Sequence, residues 1–356
     1  MSSATAPTPV DVQPSSLVQG RLPDWGPWAV YGTLGLIGVI AIVAGGTNMV
    51  LAAIVAAAAA GVIVYTWARV VEGSRRATDR AITLFVSSAF AVAVVPLVSV
   101  IYVTVSRGAD RFDTQFFTED VRNVVGAGGG GWHAIVGTLV ITGLTTLASV
   151  PIGILCAIYI VEYGHGRLKQ AIIFFVDVMT GIPSIVAGLF AFALFSIFMG
   201  PGIRLGIMGA VALSVLMIPI VVRSTEEMLK IVPNGLRESA YALGVPKWRT
   251  IVSVVLPTAL AGIVTGVMVA VARVIGETAP LLITTGTFST TNWNPFSGRM
   301  ENLPVFAFNE YKNPGVPKAP YLERAWAAAL TLIIIVLLLN IVARLVYRRF
   351  GKDVNS

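Results

Sequence analysis

Cysteine, histidine and charge are all scarce in this chain, and each scarcity closes a class of function. Cys156 is the single cysteine, so no internal disulfide can form, and with only His133 and His165 there is no ligand cluster for zinc or iron. No Ser–His pair lies at a common depth, which ranks a membrane enzyme low. Charged residues make up 12% of the 356 positions, against about 25% in soluble domains. Hydrophobic residues reach 56% and the mean hydropathy is +0.81, so most of the chain must sit in lipid. The net charge of +7 comes from dispersed Lys and Arg. No basic run is interleaved with aromatics, which sets a nucleic-acid partner aside. Residues 1–27, rich in Pro, Ser, Thr and Val, read as a disordered N-terminus. Arg21 is their only basic residue, so they lack the positive n-region of a signal peptide and no cleavage is expected.

A nucleotide loop is missing too. The run Gly126-Ala-Gly-Gly-Gly-Gly131 has no preceding strand and no following Lys-Ser/Thr, and is expected to be a flexible linker. Gly351-Lys352-Asp353 has no upstream glycine at the required spacing. Any ATP and Mg used by this chain must therefore be bound by a partner.

What the chain has in abundance is long apolar runs, which make it an all-α polytopic membrane protein. Eight stretches are long enough to span a bilayer: 28–44, 49–67, 81–105, 132–161, 170–199, 205–222, 258–285 and 325–346. The first two, joined by Gly45 to Asn48, read as a tight helical hairpin over 28–67. Pro96, Pro151, Pro183 and Pro219 predict tilt or kinks. Basic residues cluster in the loop 68–80 (Arg69, Arg75, Arg76, Arg80) and in the tail (Arg344, Arg348, Arg349, Lys352). By the positive-inside rule both termini are cytoplasmic. The polar segment 223–257 then also lies in the cytoplasm, and the loops 106–131 and 287–324 lie outside.

The segment 223–257 predicts a helical hairpin. Asn234 can cap a short helix carrying Arg237, Glu238, Ser239, Ala240 and Leu243. Gly244 supplies the left-handed stop, with Val245 behind it, and Pro246 starts the next turn before Leu256-Pro257. Small residues at 239, 240 and 242 keep the helix thin enough to enter a groove on another protein. An ordinary amphipathic loop helix is the plainer alternative.

Ionisable residues inside spans are costly and few, so each is a functional candidate. Asp177, Arg273 and Glu277 qualify. Arg273 and Glu277, four residues apart on the seventh run, are expected on one helix face. The arginine fork suits two oxyanion oxygens at once. Glu277 can hold that fork between substrates, or select by protonation state. A structural ion pair is the competing reading. Thr278 follows on the same segment, and Gly276 and Pro280 would loosen the helix there. In the fifth run, Pro183 opens the hydrogen-bond ladder, and Thr180 and Ser184 can satisfy freed carbonyls or line a path. Asp177 would repel an anion and is assigned to helix packing or coupling.

Three of these segments resemble one family. Glu238-Ser239-Ala240, Gly244 and Leu256-Pro257 resemble the cytoplasmic signature loop of ABC importer permeases, which implies a docking knob for an ATPase dimer. The stretch Ala272 to Leu282 resembles that of phosphate ABC importer permeases, and its Ala-Pro-Leu-Leu ending looks like the PstA-type subunit. Asp177 to Phe190 resembles the Gly-x-Pro-Ser segment of the same family. The resemblance covers roughly 75–350. It implies a six-helix core of the type I importer kind, to which the 28–67 hairpin adds two helices. It also implies a plasma (inner) membrane location, a homologous second permease, an external phosphate-binding protein and inorganic phosphate as solute. A permease for another oxyanion or an amino acid, and an ion-coupled secondary transporter, stay open.

Overall fold

A computed structural model describes residues 23, 25, 26, 29–33, 36 and 49–350, with the backbone alone at 49–54, 56, 91 and 346–350. Every regular element among them is a helix. Contacts divide the chain into two compact units, Met1–Ile101 and Tyr102–Ser356. The boundary falls inside one long helix.

In the first unit, α1 (Met49–Val71) turns through Gly73, at φ +87°, into α2 (Ser74–Gly108). Ala68 and Ala77 are fully buried at the turn, where small side chains let the two helices approach. Glu72 is buried, and the fork of Arg80 grips it at 2.7 and 2.8 Å. Most of the run 28–44 and the join at 45–48 fall outside the described residues, so only the second helix of the proposed 28–67 hairpin is described, as α1.

The second unit is built around one helix. Its elements are α3 (Thr114–Thr118), α4 (Trp132–Ile158) closed by a π-turn (Tyr159–Tyr163), α5 (Gly166–Thr180), α6 (Ser184–Met199) and α7 (Gly206–Ile231). They continue with α8 (Asn234–Ala242), α9 (Lys247–Thr250) with a second π-turn (Ile251–Val255), α10 (Leu256–Val274), α11 (Ala279–Thr284), α12 (Leu303–Lys312) and α13 (Ala319–Phe350). The apolar window of α7 is 56% buried, against 22 to 28% for α4, α10 and α13, so α7 is the axis on which the others lean. Its stripe Ala210, Leu213, Met217 and Val221 makes the core with Ile141, Ala270 and Val274. Glycines permit the close approaches. A Cβ on Gly153 of α4 would meet the Cγ1 of Val221 at 2.6 Å, and Gly262 and Gly266 of α10 receive Met228 and Ser224 of α7.

Among the described residues, five helices are long and apolar enough to cross a membrane, or six if a bent pair counts as one span. Two expected spans are interrupted. The run 170–199 is two helices, α5 and α6, meeting at 109° around Gly181–Pro183. The run 258–285 is interrupted at 275–278, between α10 and α11. Pro96, Pro151 and Pro219, by contrast, stay inside continuous helices.

The glycine run at 126–131 is a further correction, for it is built in and not a linker. Arg324, 1% exposed, donates from Nη1 to the carbonyls of Gly126 and Gly128 at 2.8 and 3.0 Å and from Nε to Glu310 at 2.8 Å. Arg111 donates to the Gly129 carbonyl at 2.7 Å. Gly126, Gly128 and Gly129 hold positive φ, and a Cβ on Gly130 would strike three carbonyl oxygens within 2.8 Å. The adjoining cap also buries Phe116, Leu303 and Phe306, and seats His133 with its Nε2 3.4 Å from Glu301.

Candidate substrate pathway and docking hairpin

Arg273 lies in the last turn of α10, exposed, and has no hydrogen bond or ion pair among the described residues. A cation at a helix C-terminus is favoured by the helix dipole. Glu277 is half-buried and does not pair with it. The expectation of one shared helix face fails because the helix stops between them: Ile275 is the C-cap, and the Glu277 N–H turns back to the Val274 carbonyl at 3.1 Å. The cause is local. Pro280 has no N–H to give the Gly276 carbonyl, and its ring would clash there, so the helix cannot run on. Thr278 then becomes the half-buried N-cap position of α11.

The two family-like segments meet. Gly188 on α6 lies against Pro280 on α11, where a Cβ would stand 2.6 Å from the Pro280 Cα and 3.0 Å from its oxygen. Gly209 of α7 seats Thr285 and Leu281 from the other side. Thus the turn carrying Glu277 and Thr278 is held between α6 and α7. At the elbow, Pro183 is the N-cap position of α6 and Ser184 its first, half-buried residue. Thr180 is exposed, and its hydroxyl donates to the Val176 carbonyl of its own helix at 2.8 Å.

Asp177 pairs with Arg223 of α7, a residue that the sequence reading passed over at the edge of a span. Arg223 also donates to Glu226 at 2.8 Å, which takes Lys230 at 2.7 Å. The ladder runs on a single face of α7 at spacings of three and four.

The 223–257 segment is the expected helical hairpin, closed as anticipated by Gly244 at φ +77°. Gly244 N–H donates to the Tyr241 carbonyl at 2.9 Å and Val245 N–H to that of Ala240 at 3.1 Å, a Schellman closure. Three details are corrected. Asn234 is not the cap: Pro233 holds that position and Asn234 is the first helical residue. Ala240 is buried, and Val245 and Pro257 are half-buried, so they stand behind the surface and not on it. Arg237 faces inward. Its side chain is 12% exposed, and it donates to Glu162 Oε1 at 3.0 and 2.8 Å, to the Leu229 and Val232 carbonyls at 2.9 and 2.7 Å, and to Asn234 at 3.4 Å. Five contacts use all five guanidinium N–H groups. What the hairpin offers outward is Glu238, Ser239, Gly244 and an apolar tip of Leu243, 84% exposed, with Tyr241 and Trp248.

Comparison with known proteins gives the family and the fold. The profile of the family described as binding-protein-dependent transport system inner membrane component matches residues 149–356. Phosphate transport system permease protein PstA 1 of Mycobacterium tuberculosis (strain CDC 1551 / Oshkosh) is 44% identical over 275 residues, covering 76% of this chain and 89% of its own length. The PstA protein of Yersinia pestis is 40% identical over 255 residues, covering 71% and 84%. A solved bacterial alginate ABC transporter, in complex with an alginate pentasaccharide-bound periplasmic protein, shares the fold at 14% identity and a TM-score of 0.50. That match covers 75% of this chain and 97% of the other. The chain belongs to the binding-protein-dependent transport system inner membrane component family and, within it, to the PstA-type phosphate transport system permeases.

Proposed function

We propose that this chain is the non-catalytic transmembrane permease subunit of an ATP-driven inorganic phosphate importer. The observation that carries the reading is Arg273, a permanent cation that no carboxylate among the described residues neutralises. A guanidinium set among spans without a counter-ion favours an anionic visitor, and its fork matches two oxygens of a tetrahedral oxyanion. Glu277 stands four residues on, past the helix end and unpaired among the described residues, where its charge repels a dianion and its carboxylate accepts from a phosphate hydroxyl. Thr278 and Ser184 add hydroxyls beside the same two helix junctions.

The subunit works in the plasma (inner) membrane with both termini cytoplasmic. A homologous second permease completes the pathway, covering the face on which Arg273 is exposed. An ATPase dimer, holding ATP and Mg, grips the hairpin through Glu238, Ser239, Leu243 and Gly244. An external phosphate-binding protein delivers solute to the 287–324 loop. Closure of the ATPases moves the hairpin and rocks the helices around Arg273.

Reconstitution of the chain with these partners in vesicles tests the reading. Uptake of labelled phosphate should require internal ATP and should resist competition by sulfate or amino acids. Uptake that persists without the ATPase and collapses with the membrane gradient would make it an ion-coupled carrier instead.

A further inference from the structure

The buried join between Arg237 and Glu162 has no part in holding solute, and its chemistry is that of a mechanical linkage. Glu162 belongs to the π-turn at the end of α4, where the wider winding directs its carboxylate inward to 5% exposure. A carboxylate at that burial needs a counter-charge and hydrogen bonds, and Arg237 supplies both from the hairpin helix α8. The same guanidinium takes the Leu229 and Val232 carbonyls, two of the orphan acceptors at the end of α7. One side chain therefore fastens three elements: the docking helix, the end of α4 and the end of α7. The other arm of the hairpin touches the same π-turn, with Lys247 Nζ of α9 lying 4.9 Å from the Tyr163 ring centroid.

We propose that Arg237 and Glu162 are positioning residues that make the docking helix α8 and the long helix α4 move as one body. On this view a displacement of the hairpin reaches α4 directly and does not have to pass first through α7. The proposal rests on the reading of the hairpin as an ATPase contact, and it gives Arg237 a role inside the permease in place of one on the docking surface. Severing the pair leaves the tip residues in place but lets α8 slip against α4, so ATP is spent with less solute moved.

The experiment uses the complete transporter in vesicles and a double-mutant cycle of Glu162→Gln and Arg237→Gln. Phosphate moved per ATP hydrolysed should fall about five-fold or more in either single variant, the lower range of energetic coupling between distant sites. The double variant should be no worse than the poorer single one. Unchanged ratios, or additive losses, would overturn the linkage. If Glu162→Gln does not assemble, Arg237→Lys, which keeps the charge and gives up the fork, carries the same expectation. A second readout needs no solute: in a Cys156→Ala background, the distance between probes at Gly235, where an added side chain meets nothing within 4 Å, and Leu155 should be the same with and without ATP. It should become nucleotide-dependent in Glu162→Gln. A parent that lacks phosphate uptake yet keeps that fixed distance refutes the proposed solute and spares the linkage. A distance that varies with nucleotide in the parent refutes the linkage itself.

Discussion

Replacing Arg273 by glutamine removes the one cation that the pathway reading depends on, and the structure says what else it removes. Arg273 makes no internal hydrogen bond or ion pair among the described residues, so the substitution should leave folding, assembly and thermal unfolding at parental values. Its cost falls on the solute. Each hydrogen bond to a charged group contributes about 1.5–3 kcal/mol, so losing two from the fork, partly offset by the glutamine amide, costs about 3 kcal/mol. At 1.4 kcal/mol per factor of ten, kcat/KM for phosphate uptake should drop roughly 150-fold. Arg273→Lys, which keeps charge without the fork, should lose roughly ten-fold. If the arginine holds phosphate equally in the resting and moving states, the loss appears in KM; if only during passage, in kcat. The assay is uptake of labelled phosphate into vesicles at several concentrations, beside a thermal unfolding curve in detergent. An assembled Arg273→Gln complex that transports at the parental rate refutes the reasoning.

Other expectations follow from packing and charge. Gly188→Ala places a Cβ 2.6 Å from the Pro280 Cα, so it should cost about 1–3 kcal/mol by overpacking and slow uptake by displacing α11. Gly181→Ala, whose Cβ would meet only the Val178 oxygen at 3.6 Å, should be silent in both thermal unfolding and uptake. Burial raises the pKa of Glu310 above its usual 4.5, opposed in part by the Arg324 charge. Its native form thus holds a proton more tightly than the unfolded chain does. The stability this contributes is full below the ordinary carboxylate value and is lost as pH rises through the folded one. Hydrogen exchange at 303–312 should therefore quicken with rising pH beyond its intrinsic dependence, and Glu310→Gln should abolish that excess. Leu243→Asp should leave unfolding unchanged, since the residue is 84% exposed, while abolishing co-purification of the ATPase.

Local chemistry was legible and distant partnership was not. Gly244 and Pro246 marked the hairpin turn because their backbone demands are intrinsic, and the structure has them at φ +77° and in a cap position. The apolar lengths of α4, α7 and α13 followed from bilayer thickness. The helix break between Arg273 and Glu277 was written in Gly276 and Pro280, four apart, but the i, i+4 spacing of the charged pair was given more weight. Arg237 looked like a docking residue because its carboxylate lies 75 positions earlier, in a π-turn that no periodicity announces. A lone acid just past an apolar run was the available signal. The glycine run looked like a linker because its clamp, Arg324, is 198 residues from Gly126.

The elbow at Gly181–Pro183 has a consequence for the membrane around it. The peptide oxygens of Gly181 and Ile182 accept no hydrogen bond among the described residues, and Gly181 and Pro183 are exposed. Acyl chains offer no donor, so bare lipid would leave two polar groups stranded at several kcal/mol each. Water or the amides of a neighbouring subunit must reach them. Where water does so, the elbow is a wet wedge in the bundle, and it would give a hydrated ion somewhere to stand.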